Sequence, residues 1–245
     1  MRYRIQESVV LHGCLPYFIR GNSNISPGIC NLFYLNSETK ARTMNTQGLM
    51  VKDLKQFLKL VIKPILNNPD SLRKSKKWKN IGLSSRECLG LFLICIAGRE
   101  LTGEDWTISS DPETDDGIVV CRTPPREGEA FATEQTYVPS FTPGYIDDLV
   151  LEAIKVKSSR GSDYGKDRHL IIYCGKAGSL DLQLIKREIA SNDIFSSFWV
   201  IARMSPKKWE FIVSNIKGTS DEPTAFQIII HSDFKDWGIK SLGRL

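Results

Sequence analysis

Two acidic residues in strand-like surroundings are the part of this sequence best suited to chemistry. Asp116 stands immediately before Gly117-Ile118-Val119-Val120, and Glu134 lies inside Phe131-Ala132-Thr133-Glu134-Gln135-Thr136-Tyr137-Val138. A divalent cation that promotes phosphodiester cleavage needs hard oxygen ligands on rigid elements, and a pair of carboxylates leaves room for water and a phosphate. Strand alternation puts Ala132, Glu134, Thr136 and Val138 on one face and Phe131, Thr133, Gln135 and Tyr137 on the other. A carboxylate among such apolar neighbours is costly unless a cation pairs with it. Spacing alone equally allows a glutamate that faces solvent on a half-exposed strand. If the two strands form a hairpin, both carboxylates converge near one edge of a sheet.

A second chemical feature is Arg73-Lys74-Ser75-Lys76-Lys77-Trp78-Lys79, with five basic residues and one aromatic in seven positions. Arg73, Lys74, Lys76, Lys77 and Lys79 suit phosphate contacts, and a solvated connector has the same composition. The formal charge of +5 is compatible with DNA or RNA but decides nothing by itself. Other chemistries lack their anchors. His12, His169 and His231 are scattered, there is no G-x-S-x-G elbow, and neither G-x-x-x-x-G-K-[ST] nor G-x-G-x-x-G occurs. The six cysteines lie in apolar surroundings without C-x-x-C spacing and read as buried thiols in a reducing compartment.

The elements that must position these residues follow from periodicity. Residues 1–43 show no sustained period and are expected to form a poorly defined extension, with residues 44–245 a single α/β domain. Leu54, Phe57, Leu58, Val61, Ile62 and Ile65 recur at helical spacing, and Pro64 should kink or stop that helix. Ser84 or Ser85 can cap a second helix running to about Gly98, with Glu87 near its positive end. Its apolar residues lie all round, so it should be buried between layers. Strands are expected at 105–109, 117–122 and 130–138, a helix at 144–157, and a central strand at 169–174. A helix at 180–190 and strands at 198–204, 209–215 and 225–231 complete the chain. The longest apolar stretch, Leu89 to Ala97, is about half of the roughly 20 residues a spanning helix needs, so no membrane partner and a cytoplasmic location are expected.

The order helix, three strands, helix, strand across residues 84–175, with Asp116 leading the second strand and Glu134 on the third, resembles the PD-(D/E)XK or restriction-endonuclease-like core. The matching segments are Asp111-Pro112-Glu113-Thr114-Asp115-Asp116-Gly117 and Thr133-Glu134-Gln135-Thr136. The resemblance implies that Asp116 and Glu134 bind Mg²⁺ or Mn²⁺, and that a lysine two residues after the glutamate handles the attacking water. Thr136 occupies that place here. Members of the family can move the lysine to the following helix, where this chain has Lys155 and Lys157. At about 100° per residue the stripe Ile146, Leu149, Val150, Ala153 and Ile154 centres near the direction of Lys157, whereas Glu152 and Lys155 point to the solvated side. A lysine in the last helical turn also complements the helix dipole. Glu87 is a possible third acid, although capping accounts for it more simply.

The expectation is therefore a metal-dependent nuclease-like α/β protein with C-terminal strand additions to its core. Its alternative is an inactive module of the same fold that binds nucleic acid or a protein.

Overall fold

Successive side chains of a strand face opposite ways, and the apolar runs in the middle of this chain use both faces. In the central strand Arg168–Cys174, Ile171 and Tyr173 join one hydrophobic cluster while Leu170, Ile172 and Cys174 join a second. A strand that is apolar on both sides needs cover on both sides, and the fold supplies it with helices above and below one sheet.

The computed structural model describes residues 2–5, 33–34, 50–73, 76–78, 81–110, 116–176, 178–190, 194–205, 208–217 and 222–244. In chain order they form β1 (Arg2–Ile5), β2 (Phe33–Tyr34), β3 (Met50–Val51), α1 (Leu54–Phe57), α2 (Lys63–Asn67), α3 (Ser85–Thr102), β4 (Trp106–Ser109), β5 (Ile118–Cys121) and β6 (Ala130–Val138). Then follow α4 (Ile146–Ser158), α5 (Ser162–Gly165), β7 (Arg168–Cys174), β8 (Gly178–Asp181), α6 (Leu182–Ile189), β9 (Ser197–Arg203), β10 (Glu210–Lys217), β11 (Thr224–Ile230) and β12 (Trp237–Arg244). The large sheet has the order β12-β11-β10-β9-β7-β6-β5-β4-β3-β2. It is mostly antiparallel; β6, β7 and β9 run parallel to one another at its centre. Of residues 1–43, β1 and β2 are the described parts, and β1 pairs with β8 apart from the main sheet.

The helix between 54 and 67 is continuous but changes pitch. A π-helical stretch, Leu58–Ile62, joins α1 to α2, and the Lys63 N–H donates to the Leu58 carbonyl five residues back. Pro64 falls just after it, in the first turn of α2, where a missing N–H is tolerated. So the proline neither kinks the chain out of register nor stops it. Ser84 is the cap of α3, and its hydroxyl and the Glu87 carboxylate exchange hydrogen bonds with each other's backbone N–H in a capping box. That helix continues one turn past the expected stop at Gly98. The Trp106 ring packs against Gly98 at ordinary contact distance, and Gly103 at φ +73 ends the helix in the left-handed region.

Residues Cys88 to Ala97 are buried all round, because α3 is held between the sheet and the 54–73 segment. On the opposite face α4 and α6 cover Leu170, Ile172, Phe198 and Val200. β6 divides its side chains between the two sides: Phe131 and Tyr137 pack with the α3 cluster, and Val138 packs with the α4 cluster. The described cysteines, Cys88, Cys95, Cys121 and Cys174, are buried free thiols, and burial pushes Cys174 up to about 12. Cys14 and Cys30 lie outside the described residues. No helix among the described residues is long and apolar enough to cross a membrane.

Gly117 sets the bend that leads into β5. Its φ of +108 excludes ordinary side chains, and an added Cβ would meet Leu91 Cδ1 at 2.4 Å. Gly117→Ala is expected to destabilise the protein by about 2–3 kcal/mol, read as a lowered midpoint in urea titration.

Candidate functional site

β5 begins one pairing short of the middle of β6, and that shortfall makes the site. The ladder between them runs Ile118↔Ala132, Val119↔Phe131 and Val120↔Ala130. Beyond it the Gly117 carbonyl still accepts from both the N–H and the hydroxyl of Thr133. The next free donor on β6, the Gln135 N–H, then reaches the Asp116 carboxylate at 2.7 Å. A side chain thus completes the hydrogen bonding where the strand has run out.

On the α4 side of β6, Glu134 is 6% exposed. Its Oε1 receives the Lys157 ammonium from the last turn of α4, lies 3.7 Å from Arg160 Nη1, and its carboxylate also takes the Tyr164 hydroxyl. Arg160 in turn donates to the Tyr164 oxygen at 2.5 Å. These partners supply compensating charge to a carboxylate that would otherwise be stranded. Burial, followed by the Glu134 hydrogen bond, pushes the Tyr164 phenol upward, so it stays a protonated donor. Glu152 and Lys155 are exposed on the far side of α4.

On the α3 side, the Gln135 amide nitrogen donates to the Glu87 carbonyl at 3.1 Å, and Gln135 Oε1 is buried without a hydrogen-bond partner among the described residues. Glu87 is itself 7% exposed. Asp116 sits at the edge between these groups. Desolvation pushes its carboxyl up to about 6; the Gln135 N–H pulls the other way, Glu87 and Glu134 push it further up, and Lys157 opposes them. Asp116, Glu134 and Lys157 are therefore brought together from three elements, and Glu87 joins them from a fourth.

The basic segment is placed beside the start of α3. Arg73, Lys76 and Lys77 are exposed, Lys77 bridges to Ser84, and the half-buried Trp78 donates its indole N–H to Ser85 at 3.1 Å. Arg73 is near enough to lower the Tyr137 phenol, whose pKa is raised chiefly by burial. Lys74 and Lys79 lie outside the described residues, as do Asp111 to Asp115.

Gln135, Arg160 and Tyr164 were not singled out by sequence reasoning. Gln135 had a signal, since alternation sends it to the face opposite Glu134, toward the capped helix. Arg160 and Tyr164 follow the helix end and reach Glu134 only through the turn at Gly161, so no periodicity connects them.

Hard oxygen donors beside Asp116, whose carboxyl is raised by desolvation and by Glu87 and Glu134, have the chemistry to receive a divalent cation. Among the described residues no three His, Cys, Asp or Glu side chains cluster closely enough to hold an ion by themselves. Carbonyl or amide oxygens, water and substrate would have to complete the shell. Comparison with known proteins gives no matching family model and no matching curated relative, so function must be argued from this site alone.

Two outcomes are expected without metal. The folded pKa of Asp116 lies above the ordinary 3.8, so its stabilising protonated form is complete below pH 3.8 and lost as pH rises through about 6. Asp116→Asn keeps an acceptor for Gln135 and should raise stability by about 1–2 kcal/mol at pH 7.5 in chelator, the gain vanishing near pH 3.5; thermal melts across that range measure it. Lys157→Met leaves Glu134 with weaker partners and should cost about 3 kcal/mol, whereas Lys157→Met with Glu134→Gln should recover most of that loss in denaturant titrations.

Proposed function

We propose that this protein is a divalent-metal-dependent nuclease-like phosphodiester hydrolase built on a restriction-endonuclease-like core. One observation carries the reading. Lys157 bonds the buried Glu134, and in this reading it stands in for the cation that the PD-(D/E)XK pattern has two residues after the glutamate. The element order α3, β4, β5, β6, α4, β7 supports the same core.

In this reading Asp116 and Glu134 hold Mg²⁺ or Mn²⁺, with the Gln135 backbone carbonyl as a further donor. The ion, when bound, supplies Lewis acidity toward the phosphate and acidifies water. The chain's own residues do the rest. Lys157 fixes the Glu134 carboxylate and offers a proton-bearing cation at the position where charge builds on a phosphate. Asp116 at neutral pH presents a carboxylate that its surroundings disfavour, so it gains from any added cation. Exposed Arg73, Lys76 and Lys77 neutralise flanking phosphates of DNA or RNA.

A second reading has its own observation. Glu134 is already compensated by Lys157, Arg160 and Tyr164, which is what a module that has lost catalysis and binds nucleic acid through its basic segment would retain.

The test is cleavage of plasmid and of single-stranded DNA and RNA in Mg²⁺ or Mn²⁺. Wild type should cut; Asp116→Asn and Glu134→Gln should each fall at least about 100-fold, and Lys155→Ala should be unchanged. Cleavage surviving both acidic substitutions overturns the metal-pair reading. Salt-sensitive binding without any cleavage, weakened by Arg73→Ala with Lys76→Ala, establishes the binding module instead.

A further inference from the structure

Away from the carboxylates, a cleft of about 310 Å³ opens between the C-terminal half of α3 and the first residues of β6, β7 and β9. Its size is at the small end of ligand pockets, enough for one or two rings. Trp106, Phe131 and His169 form a continuous wall, with ring centroids 5.6 Å apart for Trp106 and Phe131 and 4.7 Å for Phe131 and His169. Trp199 and Asn215 also line it.

The neutral polar groups of the wall define the ligand. Both indole N–H groups are used internally, Trp106 on Thr102 and Trp199 on Ser197, each at 2.9 Å, so these residues give the cleft apolar ring surface and no donor. Arg126 lies over the Trp106 and Phe131 rings, but its guanidinium is held by Glu104 at 3.1 Å and Glu129 at 2.8 Å. The rim therefore has no spare positive charge for an anion. Two groups remain. The Asn215 amide, on a residue only 3% exposed, lines the cleft. The His169 ring lines it too, and desolvation lowers this histidine to about 4, which keeps it neutral at pH 7. A neutral imidazole and a carboxamide each both donate and accept.

We infer that this cleft is a binding site for a single uncharged, planar heteroaromatic ring, a nucleobase, packed against Trp106, Phe131 and Trp199 and read along its edge by Asn215 and His169. Aromatic faces with neutral donor and acceptor pairs are how flipped or unpaired bases are held. The preference for a base over another neutral ring rests on the nuclease reading.

Tryptophan fluorescence titrated with adenosine, guanosine, cytidine and thymidine tests this. At least one nucleoside should quench saturably, at least tenfold more weakly in Asn215→Leu and in His169→Phe, and equally well in Asp116→Asn with Glu134→Gln. The second pocket variant guards against misfolding of the first. No saturable response to any of the four at about 10 mM, or equal affinity in both pocket variants, overturns the inference. Nucleoside binding in a protein that cuts nothing supports the cleft and removes the nuclease reading; cleavage by a protein that binds no nucleoside does the reverse.

Discussion

Glu134 holds a negative charge in the middle of a central strand, on a face otherwise given to apolar packing, and much of the molecule is arranged so that it can. An isolated carboxylate there would cost several kcal/mol. The Lys157 ammonium, the Arg160 guanidinium and the Tyr164 hydroxyl meet it from α4 and the turn after it. α4 must therefore end where it does, and β7 must run parallel to β6 to bring the chain back beneath it. Replacing the whole cluster by apolar residues would satisfy the same fold.

The edge of β5 adds the second half of the constraint. Because β5 begins at Ile118, the Gln135 N–H has no strand partner and takes the Asp116 carboxylate instead. That bond anchors Asp116 beside two other acids, and the resulting repulsion and desolvation raise its affinity for a proton or another cation. Stability at neutral pH is lowered by the same crowding that makes the edge attractive to a positive ion.

The cleft at the other end of β6 obeys an opposite rule. Its charges are neutralised within the wall by Glu104 and Glu129, and its donors and acceptors are neutral. One strand thus carries a charge-dense region near Glu134 and an aromatic, uncharged one near Phe131.

Period-2 alternation in Phe131 to Val138 was enough to give β6 its bounds and to assign its two faces, because that pattern reflects local geometry alone. The helical stripe of α4 likewise turned Lys157 inward and Lys155 outward, since angular position on a helix is fixed by sequence number. Gly98 misled as a stop for α3 because a helix tolerates one glycine in its interior, and the left-handed cap comes at Gly103 instead. The edge strand Trp237–Arg244 went unseen because its apolar alternation is short, Trp237 and Ile239 packing on the core before Lys240, Ser241 and Gly243 break the pattern. By itself the sequence determined which acids and which lysine belong to candidate surfaces. Only the tertiary structure decided that Glu87, Asp116, Glu134 and Lys157 share one neighbourhood, that Gln135, Arg160 and Tyr164 belong to it, and that Asn215 and His169 face one cleft. Such meetings depend on strand order and on where β5 begins, which are properties of long-range pairing and not of any window of sequence.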